Sequence, residues 1–499
     1  MSEDRPGQAP AEFGRLRSFF WPIHRYELGK LLPMFLMFFF ISLVYSLLRN
    51  TKDTLIVTAP GGGAGLIPFL KVYGTIPGSI LAMVAYSRVV GRLGKGRAFY
   101  LTIGVFMAFF LAFGFLFPIR ERLEPAAWAA ALEGRLSPGL GHLVATFRHW
   151  VLSLFYVMAE LWGSMALSLL FWGLANDITR VEESKRYYAL FGLGANLALV
   201  AVKGVNHGLR SAGQVLAARC GIPAWDGYLY ALIGVVLVSG LLIMALYHRV
   251  KRVVRSDPRF AAAVDPASFR KRQVPLRESL PVLLKSTSLR YIAILVLAYG
   301  IAINLIEVTW KHQLGLAYPQ PGRYQDFMAN FSLATGCVTL FLMLFVSSNV
   351  IRRFGWTTAA LATPVVLLVT GMGFFGVLLW PVWFRAGALA VPIGAVQNVL
   401  SKASKYALFD PTKEMAYIPL DQEAKVKGKA GIDVVGARFG KAGGSLILQV
   451  LIGMSGSLDA VTGPIAGILL LVIGAWIWAG AGLGRAFARR SSPAGAQGS

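Results

Sequence analysis

Polar and charged side chains recur along one face of an otherwise apolar stretch of this chain, 145–175. They follow one another at intervals of three or four residues, which places them on the same side of a helix: Ser153, Tyr156, Glu160, Ser164 and Ser168. An ionisable group within a membrane-length apolar stretch is costly and marks a candidate functional site. Glu160 is therefore a candidate for ligand binding or transport. The other interpretation is a carboxylate that pairs with a neighbouring helix only for assembly.

A second apolar stretch, 291–310, carries a face of the same kind. Its polar positions are four, three and four residues apart, again on one side of a helix: Gly300, Asn304, Glu307 and Lys311. The spacing of Glu307 and Lys311 would also allow them simply to pair along the helix. Asn304, Glu307 and Lys311 are candidates for the same site as Glu160.

Arg49, Lys52 and Asp53 continue a polar face towards the end of the first apolar stretch. The basic pair could anchor that helix end among lipid headgroups. Together with Glu160, Glu307 and the charged segment 402–444, these residues instead predict a central cavity lined by charges of both signs from both halves. Such a cavity suits a polyanion, because phosphate oxygens accept charge-assisted hydrogen bonds from lysine and arginine. The carboxylates would pair with the basic groups in the empty cavity, so that a substrate replaces one partner by another.

The elements that position these faces are membrane helices. Of the 499 residues, 56% are hydrophobic, and the mean hydropathy is +0.59. Apolar runs of bilayer-spanning length predict an all-α polytopic membrane protein with twelve transmembrane helices. The first 30 residues lack the apolar core of a cleaved signal peptide. The predicted spans are 31–48, 66–87, 98–118, 145–175, 187–205, 227–247, 291–310, 331–350, 356–380, 385–409, 442–458 and 462–483.

An even number of spans places both termini on the same side of the membrane. With a cytoplasmic N-terminus, 36 of the 49 basic residues lie on the cytoplasmic side, as the positive-inside rule favours. We therefore expect a cytoplasmic N-terminal tail at 1–30, an N-terminal six-helix half at 31–247, a basic cytoplasmic linker at 248–290, a C-terminal six-helix half at 291–483 and a cytoplasmic C-terminal tail at 484–499.

The two halves share a repeated turn. The tripeptide RLG at 92–94 follows the second span and RFG at 353–355 follows the eighth, at an offset of 261 residues that also lays the first span onto the seventh. Two parallel six-helix repeats are the plan of the major-facilitator transporters, so the sequence predicts a major-facilitator-like fold.

Several other functions are disfavoured by motifs that the sequence lacks. The glycine run at 61–63 is not followed by Gly-Lys-Ser/Thr, so we do not expect ATP hydrolysis as an energy source. The six histidines show no metal-ligand spacing, and Cys220 and Cys337 support neither a disulfide framework nor a metal site. We expect no enzyme activity, no cofactor and no metal. The positive-inside bias and an anionic substrate account for the net charge of +25, so nucleic acid is not an expected partner.

Several long motifs resemble one transporter family. They are RNTKDTLIVTAP with IPFLKVYG, FWGLANDITRVEESKRYYALFGLGANLAL, YGIAINLIEVTWK, and SKYALFDPTKEMAYIPLDQEAKVKGKAGIDVV with FGKAGG, and the likeness extends from about Tyr26 to the last span. The family is the nucleotide transporters of plastids and of obligate intracellular bacteria such as chlamydiae and rickettsiae, the ATP/ADP antiporters. The resemblance implies twelve spanning helices, a major-facilitator-like fold and exchange of ATP for ADP without hydrolysis.

The resemblance also implies four charged positions that matter for transport: Lys52, Glu160, Glu307 and Lys413. Lys413 lies in the charged segment 402–444, and we expect residues 410–417 of that segment to reach the site. Helical spacing and proximity add further candidates: Arg49, Asn304, Lys311 and Tyr156. The rings of Tyr156, Trp162 and Trp310 could stack on adenine.

Two positions depart from the family pattern. Asn50 stands where many members have Asp, and Thr412 where many have Cys; an acid lost beside Lys52 would change the local charge balance. Members of the family differ in substrate, so a proton-coupled importer of a broader set of nucleotides, or of NAD, remains an alternative. Co-transport of phosphate or protons is left open. The resemblance favours the inner membrane of a bacterium over the inner envelope of a plastid.

Overall fold

The computed structural model describes residues 25–133, 135–136, 138–257, 260, 286–380, 386–418, 420, 432 and 437–491. These residues form helices and the turns between them, and no strand occurs among them. Each of the twelve predicted spans coincides with a helix or with one arm of a bent helix. The predicted all-α polytopic class is therefore confirmed.

The first six membrane helices follow a short 3-10 turn at Arg25–Glu27. A continuous helical run from Leu66 to Leu116 contains two of them, because Gly94 breaks it into two arms. The fifth ends at Gly221, whose left-handed conformation (φ 65°) caps the helix. The six helices are α1 (Leu28–Val57), α2 (66–93), α3 (95–116), α4 (Trp150–Ile178), α5 (Val181–Cys220) and α6 (Ala224–Ser256).

The other six membrane helices begin after Ser286. The hydroxyl of Ser286 accepts a hydrogen bond from the backbone N–H of Leu289 at 3.4 Å and so caps the first of them. Pro321 stands in the first turn of the next, where its missing N–H costs no hydrogen bond. The six helices are α7 (Thr287–Ala317), α8 (321–354), α9 (356–379), α10 (386–416), α11 (Ala437–Ser455) and α12 (Thr462–Ser491).

In the described part of the chain, nine helices are long and apolar enough to cross a membrane. The difference from twelve has local causes. The arms α2 and α3 form one continuous run, Leu66–Leu123. Helix α10 carries Gln397, Asn398 and Lys402 within its apolar part, and α11 contributes a shorter apolar helix, Phe439–Ser455.

The repeated turn at 92–94 and 353–355 has the same backbone conformation in both halves. Gly94 has φ 75° and ψ 161°, and Gly355 has φ 80° and ψ 173°. A positive φ is strained for a residue with a side chain, so glycine lets the chain reverse here, between α2 and α3 and between α8 and α9. The shared conformation supports the internal repeat that the sequence predicts.

Within the described residues, four membrane helices contain a stretch of π-helix, and they are the second and fourth helix of each half. The stretches are Leu70–Thr75 in α2, Gly163–Phe171 in α4, Leu342–Val346 in α8 and Lys405–Phe409 in α10. Because π-helical hydrogen bonds join residues five apart, each stretch rotates the residues beyond it away from α-helical spacing. Ser164 and Ser168, the polar positions of α4 after Glu160, lie within such a stretch, so α-helical spacing alone does not fix the direction in which they face.

Helices extend past the predicted region boundaries. Helix α1 begins within the predicted tail at 1–30, whose residues 1–24 lie outside the described part of the chain. Helix α6 continues to Ser256, inside the predicted linker at 248–290, most of which also lies outside the described residues. Helix α12 likewise runs into the predicted C-terminal tail.

The two halves contact each other near the end of α1 at Val57. Thr54 Oγ1 on α1 donates a hydrogen bond to Gln325 Oε1 on α8 at 2.6 Å, and Gln325 Nε2 donates to Tyr228 Oη on α6 at 2.9 Å. A Cβ on Gly315 of α7 would lie 2.5 Å from Val57 Cγ1, so glycine permits this close approach. These contacts close the bundle at this end.

At the opposite end of the bundle, ion pairs brace helices within one half. Lys30 Nζ on α1 lies 2.6 Å from Glu183 Oε2 on α5. Lys95, at the start of α3, lies 2.8 Å from Asp177 Oδ2 on α4. Each pair ties helices of the N-terminal half to one another, which suits a half that moves as one body.

A charged site between the two halves

Lys52 on α1 lies among acidic and aromatic groups inside the bundle. Its Nζ lies 2.8 Å from Asp53 Oδ1 and 3.0 Å from Glu160 Oε1 on α4, and its side chain is 2% exposed. It also lies 3.8 Å from the centroid of the Tyr156 ring, a cation–π contact. The predicted faces of α1 and α4 therefore meet.

Glu307 on α7 gathers three cations around one carboxylate oxygen. Its Oε1 lies 2.9 Å from Arg49 Nη2 on α1, 3.0 Å from Lys311 Nζ one turn along α7, and 3.3 Å from Lys402 Nζ on α10. The intrahelical pair with Lys311 exists, but it is one contact of three. Arg49 is consequently not a headgroup anchor, since its guanidinium crosses to the other half of the molecule.

Asp53 joins the two groups of contacts. Its Oδ1 accepts a hydrogen bond from Lys52, and its Oδ2 lies 2.7 Å from Lys311 Nζ on α7. Its side chain is fully buried. Asp53 thus bridges a lysine of the N-terminal half and a lysine of the C-terminal half.

Asn304 and Lys71 extend the site towards α2 and α11. Lys71 Nζ, on the π-helical stretch of α2, donates a hydrogen bond to Asn304 Oδ1. Asn304 Nδ2 donates to Ser445 Oγ at 2.9 Å and to the carbonyl oxygen of Lys441 at 3.2 Å on α11. Because Asn304 lies one turn before Glu307 on α7, its contact with Lys71 brings that lysine into the same charge cluster.

The site has more positive than negative formal charge. It contains five basic side chains, Arg49, Lys52, Lys71, Lys311 and Lys402, and three carboxylates, Asp53, Glu160 and Glu307. The formal net charge of these eight side chains is therefore +2. Unbalanced charge in a dry environment is costly, so a site of this composition is chemically suited to an anionic ligand that brings several oxygens.

The structure brings seven of the eight predicted residues together and places one elsewhere. The seven are Arg49, Lys52, Tyr156, Glu160, Asn304, Glu307 and Lys311. Lys413 lies on the short helical segment Asp410–Ala416, beyond the π-helical turn of α10, and its Nζ is 3.2 Å from Glu414 Oε1. In this conformation Lys413 is thus separated from Lys402 by the π-helical turn.

The aromatic residues that were candidates for adenine stacking are occupied by packing. Trp162 and Trp310 are completely buried, and their indole N–H groups donate to the carbonyl oxygens of Ile41 and Val391 at 3.1 Å. The Tyr156 ring faces the Lys52 ammonium. None of these three rings presents a free face to a ligand in this conformation.

Three charged groups of the site are not among the eight named candidates. The sequence places Asp53 on the polar face at the end of α1 that lines the predicted cavity, and Lys402 in the charged segment 402–444, without singling out either residue. Lys71 lies inside the predicted span 66–87, so the rule that singled out Glu160 would have found it.

The two positions that depart from the family pattern lie outside the charge cluster. Asn50 Nδ2 donates to Ser332 Oγ at 2.9 Å and to the carbonyl oxygen of Met328 at 3.3 Å, both on α8. Thr412 Oγ1 donates to the carbonyl oxygen of Leu408 at 2.7 Å within α10. Asn50 therefore helps to join α1 to α8, and its side chain does not point towards Lys52.

No group of histidine, cysteine, aspartate and glutamate side chains among the described residues is arranged to hold a metal ion. Cys220 and Cys337 are both exposed and free.

Comparison with protein families identifies close relatives. The sequence model described as TLC ATP/ADP transporter matches residues 7–487. The ADP,ATP carrier protein 1 of Chlamydia pneumoniae is 48% identical, over 96% of this chain and 95% of that protein. The chloroplastic ADP,ATP carrier protein 1 of Arabidopsis thaliana is 44% identical, over 90% of this chain and 72% of that protein.

Solved structures of transporters share the fold. A D-xylose-proton symporter superposes with a TM-score of 0.56 at 12% identity, over 92% of this chain and 97% of that one. A bacterial homologue of the iron transporter ferroportin, in an inward-facing state, superposes with a TM-score of 0.57 at 15% identity, over 94% of this chain and 99% of that one. At these identities the likeness concerns the fold alone, and it confirms the predicted major-facilitator-like architecture of two six-helix halves.

Proposed function

The chain belongs to the TLC ATP/ADP transporter family, and from this premise we propose that it exchanges ATP for ADP across a membrane by alternating access, without hydrolysing ATP. The observation that carries the proposal is the charge cluster between the halves. Its contacts join α1, α2 and α4 to α7 and α10. A site built from both halves is one whose geometry changes when the halves rock.

The basic groups of the cluster would hold the phosphate groups of the nucleotide. Arg49 offers a planar fork of N–H donors, and Lys71 and Lys402 offer point charges from opposite halves. A nucleoside di- or triphosphate carries more negative charge than this excess of two, so its phosphates neutralise the excess and compete with the carboxylates for the basic groups. Lys52 and Lys311 each contact two carboxylate groups, so they are suited to transmitting the change in charge.

Competition for the cations would couple binding to movement. Arg49 with Glu307, and Lys311 with Asp53, are pairs that cross between the halves. A phosphate that takes Arg49 from Glu307 replaces a contact between halves by a contact with substrate. The free energy of binding can then be used to shift the equilibrium between the two orientations of the halves. The empty site, held by its own ion pairs, would change orientation less readily, which favours exchange over net import.

We place the transporter in the cell membrane of a bacterium, with both termini in the cytoplasm, and assign it no enzyme activity. The positive-inside distribution supports this orientation. The end of the bundle at Val57 then faces outward, so the structure is closed towards the outside. The halves that move are 31–247 and 291–483, joined by the linker 248–290.

Counter-exchange by the purified full-length protein tests the proposal. Liposomes loaded with ADP should take up labelled ATP, whereas empty liposomes should not. Glu160→Gln should abolish exchange, because Lys52 loses one of its two carboxylate partners, whereas Glu121→Gln serves as a matched control on a side chain that is 81% exposed. ADP, GTP, CTP and NAD inside the vesicles would rank the substrates.

The same proteoliposomes also test whether phosphate or protons move together with the nucleotide. ATP has one phosphate more than ADP, so a one-for-one swap moves charge and should respond to membrane potential. A missing voltage effect would point to co-transported phosphate or protons. ATP uptake into empty vesicles driven by a pH gradient would contradict obligate exchange and would support proton-coupled import instead.

A further inference from the structure

A pocket lies beside the turn at Gly94, away from the charge cluster around Glu307. It is formed where the end of α6 approaches the start of α3, and its volume is about 650 Å³. Five side chains of the basic residue types line it: Arg97, His248, Lys251, Arg252 and Arg255. Among the lining residues that the structure describes, none is a carboxylate. The pocket is therefore an anion site by composition, and it shares no residue with the cluster around Glu307.

The basic side chains belong to one face of α6. His248, Lys251, Arg252 and Arg255 follow one another at spacings of three, one and three residues, which places them on the same side of the helix. A Cβ on Gly96 would lie 2.7 Å from Lys251 Nζ, so the absence of a side chain there lets the ammonium approach the start of α3. The first N–H groups of a helix have no acceptor within it, and they add to the positive potential.

Tyr100 lines the pocket, and two buried aromatic rings pack against it. Phe99 and Tyr247 are stacked, with ring centroids 3.8 Å apart at 8°, and Tyr100 meets Tyr247 edge-on at 5.3 Å. Lys251 Nζ lies 5.4 Å from the centroid of the Tyr247 ring. Below this level, α3 presents exposed apolar side chains, Leu101 at 45% and Val105 at 53%. Rings at the boundary between charged and apolar surface are typical of the membrane interface.

We propose that this pocket binds the anionic headgroup of a phospholipid, with the acyl chains along the apolar face of α3. A solvated basic face would explain the charges, but it explains neither the concave site nor the continuous apolar surface below it. Three arginines and a lysine, Arg97, Arg252, Arg255 and Lys251, match a headgroup with two phosphates better than one with a single charge. Free phosphate offers the same oxygens but has nothing for Leu101 and Val105 to contact.

Native mass spectrometry of the purified full-length protein tests the assignment. The probes are cardiolipin, which has two phosphates, and phosphatidylcholine, whose headgroup has no net charge. Lys251→Gln with Arg252→Gln should lower the affinity for cardiolipin about thirtyfold, since two charge-assisted contacts are lost. Arg352→Gln with Arg353→Gln is the matched control, because these exposed arginines occupy the repeat-related turn of the other half and do not line the pocket.

The expected result is selective retention of cardiolipin by the unmodified protein and by the control, with loss confined to the pocket variant. Equal losses in both double variants would overturn the proposal, because total charge and not the pocket would then hold the lipid. Displacement of the lipid by millimolar inorganic phosphate, or binding of phosphate without lipid, would overturn the lipid assignment and identify a soluble anion. Equal thermal unfolding midpoints for the two variants establish that both are folded.

Discussion

Asp53 on α1 and Lys311 on α7 form a buried ion pair between the two halves, with Oδ2 2.7 Å from Nζ. The same carboxylate accepts a hydrogen bond from Lys52 at 2.8 Å. Taking charges out of water is costly, so ion pairs of this kind are weak evidence for stability in themselves. Here the Asp53 carboxylate contacts a cation from each half, so the surroundings of Asp53 must change when the halves separate.

Replacing Asp53 by Asn should abolish exchange and lower stability. Removing one partner of a buried ion pair costs about 3–5 kcal/mol, because the remaining charge is left without its counter-charge. We expect the lower end of this range, since Lys311 also lies 3.0 Å from Glu307. The measurements are ATP/ADP exchange in proteoliposomes and the midpoint of thermal unfolding in detergent.

The double variant Asp53→Asn with Lys311→Met separates the two effects. It removes the charge that the single variant leaves behind, so its unfolding midpoint should recover towards that of the unmodified protein. Exchange should remain absent, since both bridging groups are gone. A double variant less stable than the single one would mean that the pair does not stabilise this conformation.

Glu307→Gln should separate binding from movement. Three cations, Arg49, Lys311 and Lys402, share the Glu307 carboxylate, so the variant has a more positive site when empty. We expect ADP to bind more tightly, as judged by thermal stabilisation at increasing ADP concentration, while the exchange rate falls at least tenfold. Glu121→Gln on the surface is the control. Weaker ADP binding by Glu307→Gln would show that this carboxylate contacts the nucleotide and does not compete with it.

Much of this site could be predicted because its charges are locally visible in the sequence. Glu160 and Glu307 stand out within apolar stretches, and helical spacing groups them with Tyr156, Asn304 and Lys311. The fold was predictable for the same reason, since each span is a local hydrophobic signal.

The pairing of the charges was not predictable, because periodicity assigns a residue to a helical face and does not say which helix faces it. The bridge of Asp53 to Lys311, and the contact of Lys71 with Asn304, join positions that are remote in the chain. The π-helical stretch at Gly163–Phe171 likewise has no spacing signal of its own, so spacing alone does not place Ser164 and Ser168 relative to Glu160.

Lys402 and Lys413 should differ in what they do, although both lie on α10. Lys402 contacts Glu307, whereas Lys413 lies beyond the π-helical turn, beside Glu414. Lys402→Ala should therefore weaken ADP binding in this conformation. Lys413→Ala should reduce exchange severely while changing that binding little. Equal effects on binding would place both lysines at the nucleotide, and normal exchange by Lys413→Ala would remove that residue from the transport cycle.

The contact between Val57 and Gly315 offers a direct test of movement between the halves. Exchange requires this end of the bundle to open, so a covalent link between α1 and α7 here should stop it. Val57→Cys with Gly315→Cys, on a background in which the exposed Cys220 and Cys337 are replaced by Ser, should form a disulfide on oxidation. We expect oxidised protein to lose exchange and reduced protein to regain it.

A link within one half provides the matched control. A Cβ on Gly240 of α6 would lie 2.9 Å from Met107 Cγ on α3, so Gly240→Cys with Met107→Cys joins two helices of the N-terminal half at similar proximity. If the halves move as bodies, this second disulfide should leave exchange nearly unchanged, because it spans no moving boundary. Undiminished exchange by the oxidised Val57→Cys, Gly315→Cys variant would mean that the halves do not separate at Val57. Loss of exchange by the oxidised control variant would mean that helices also shift within a half.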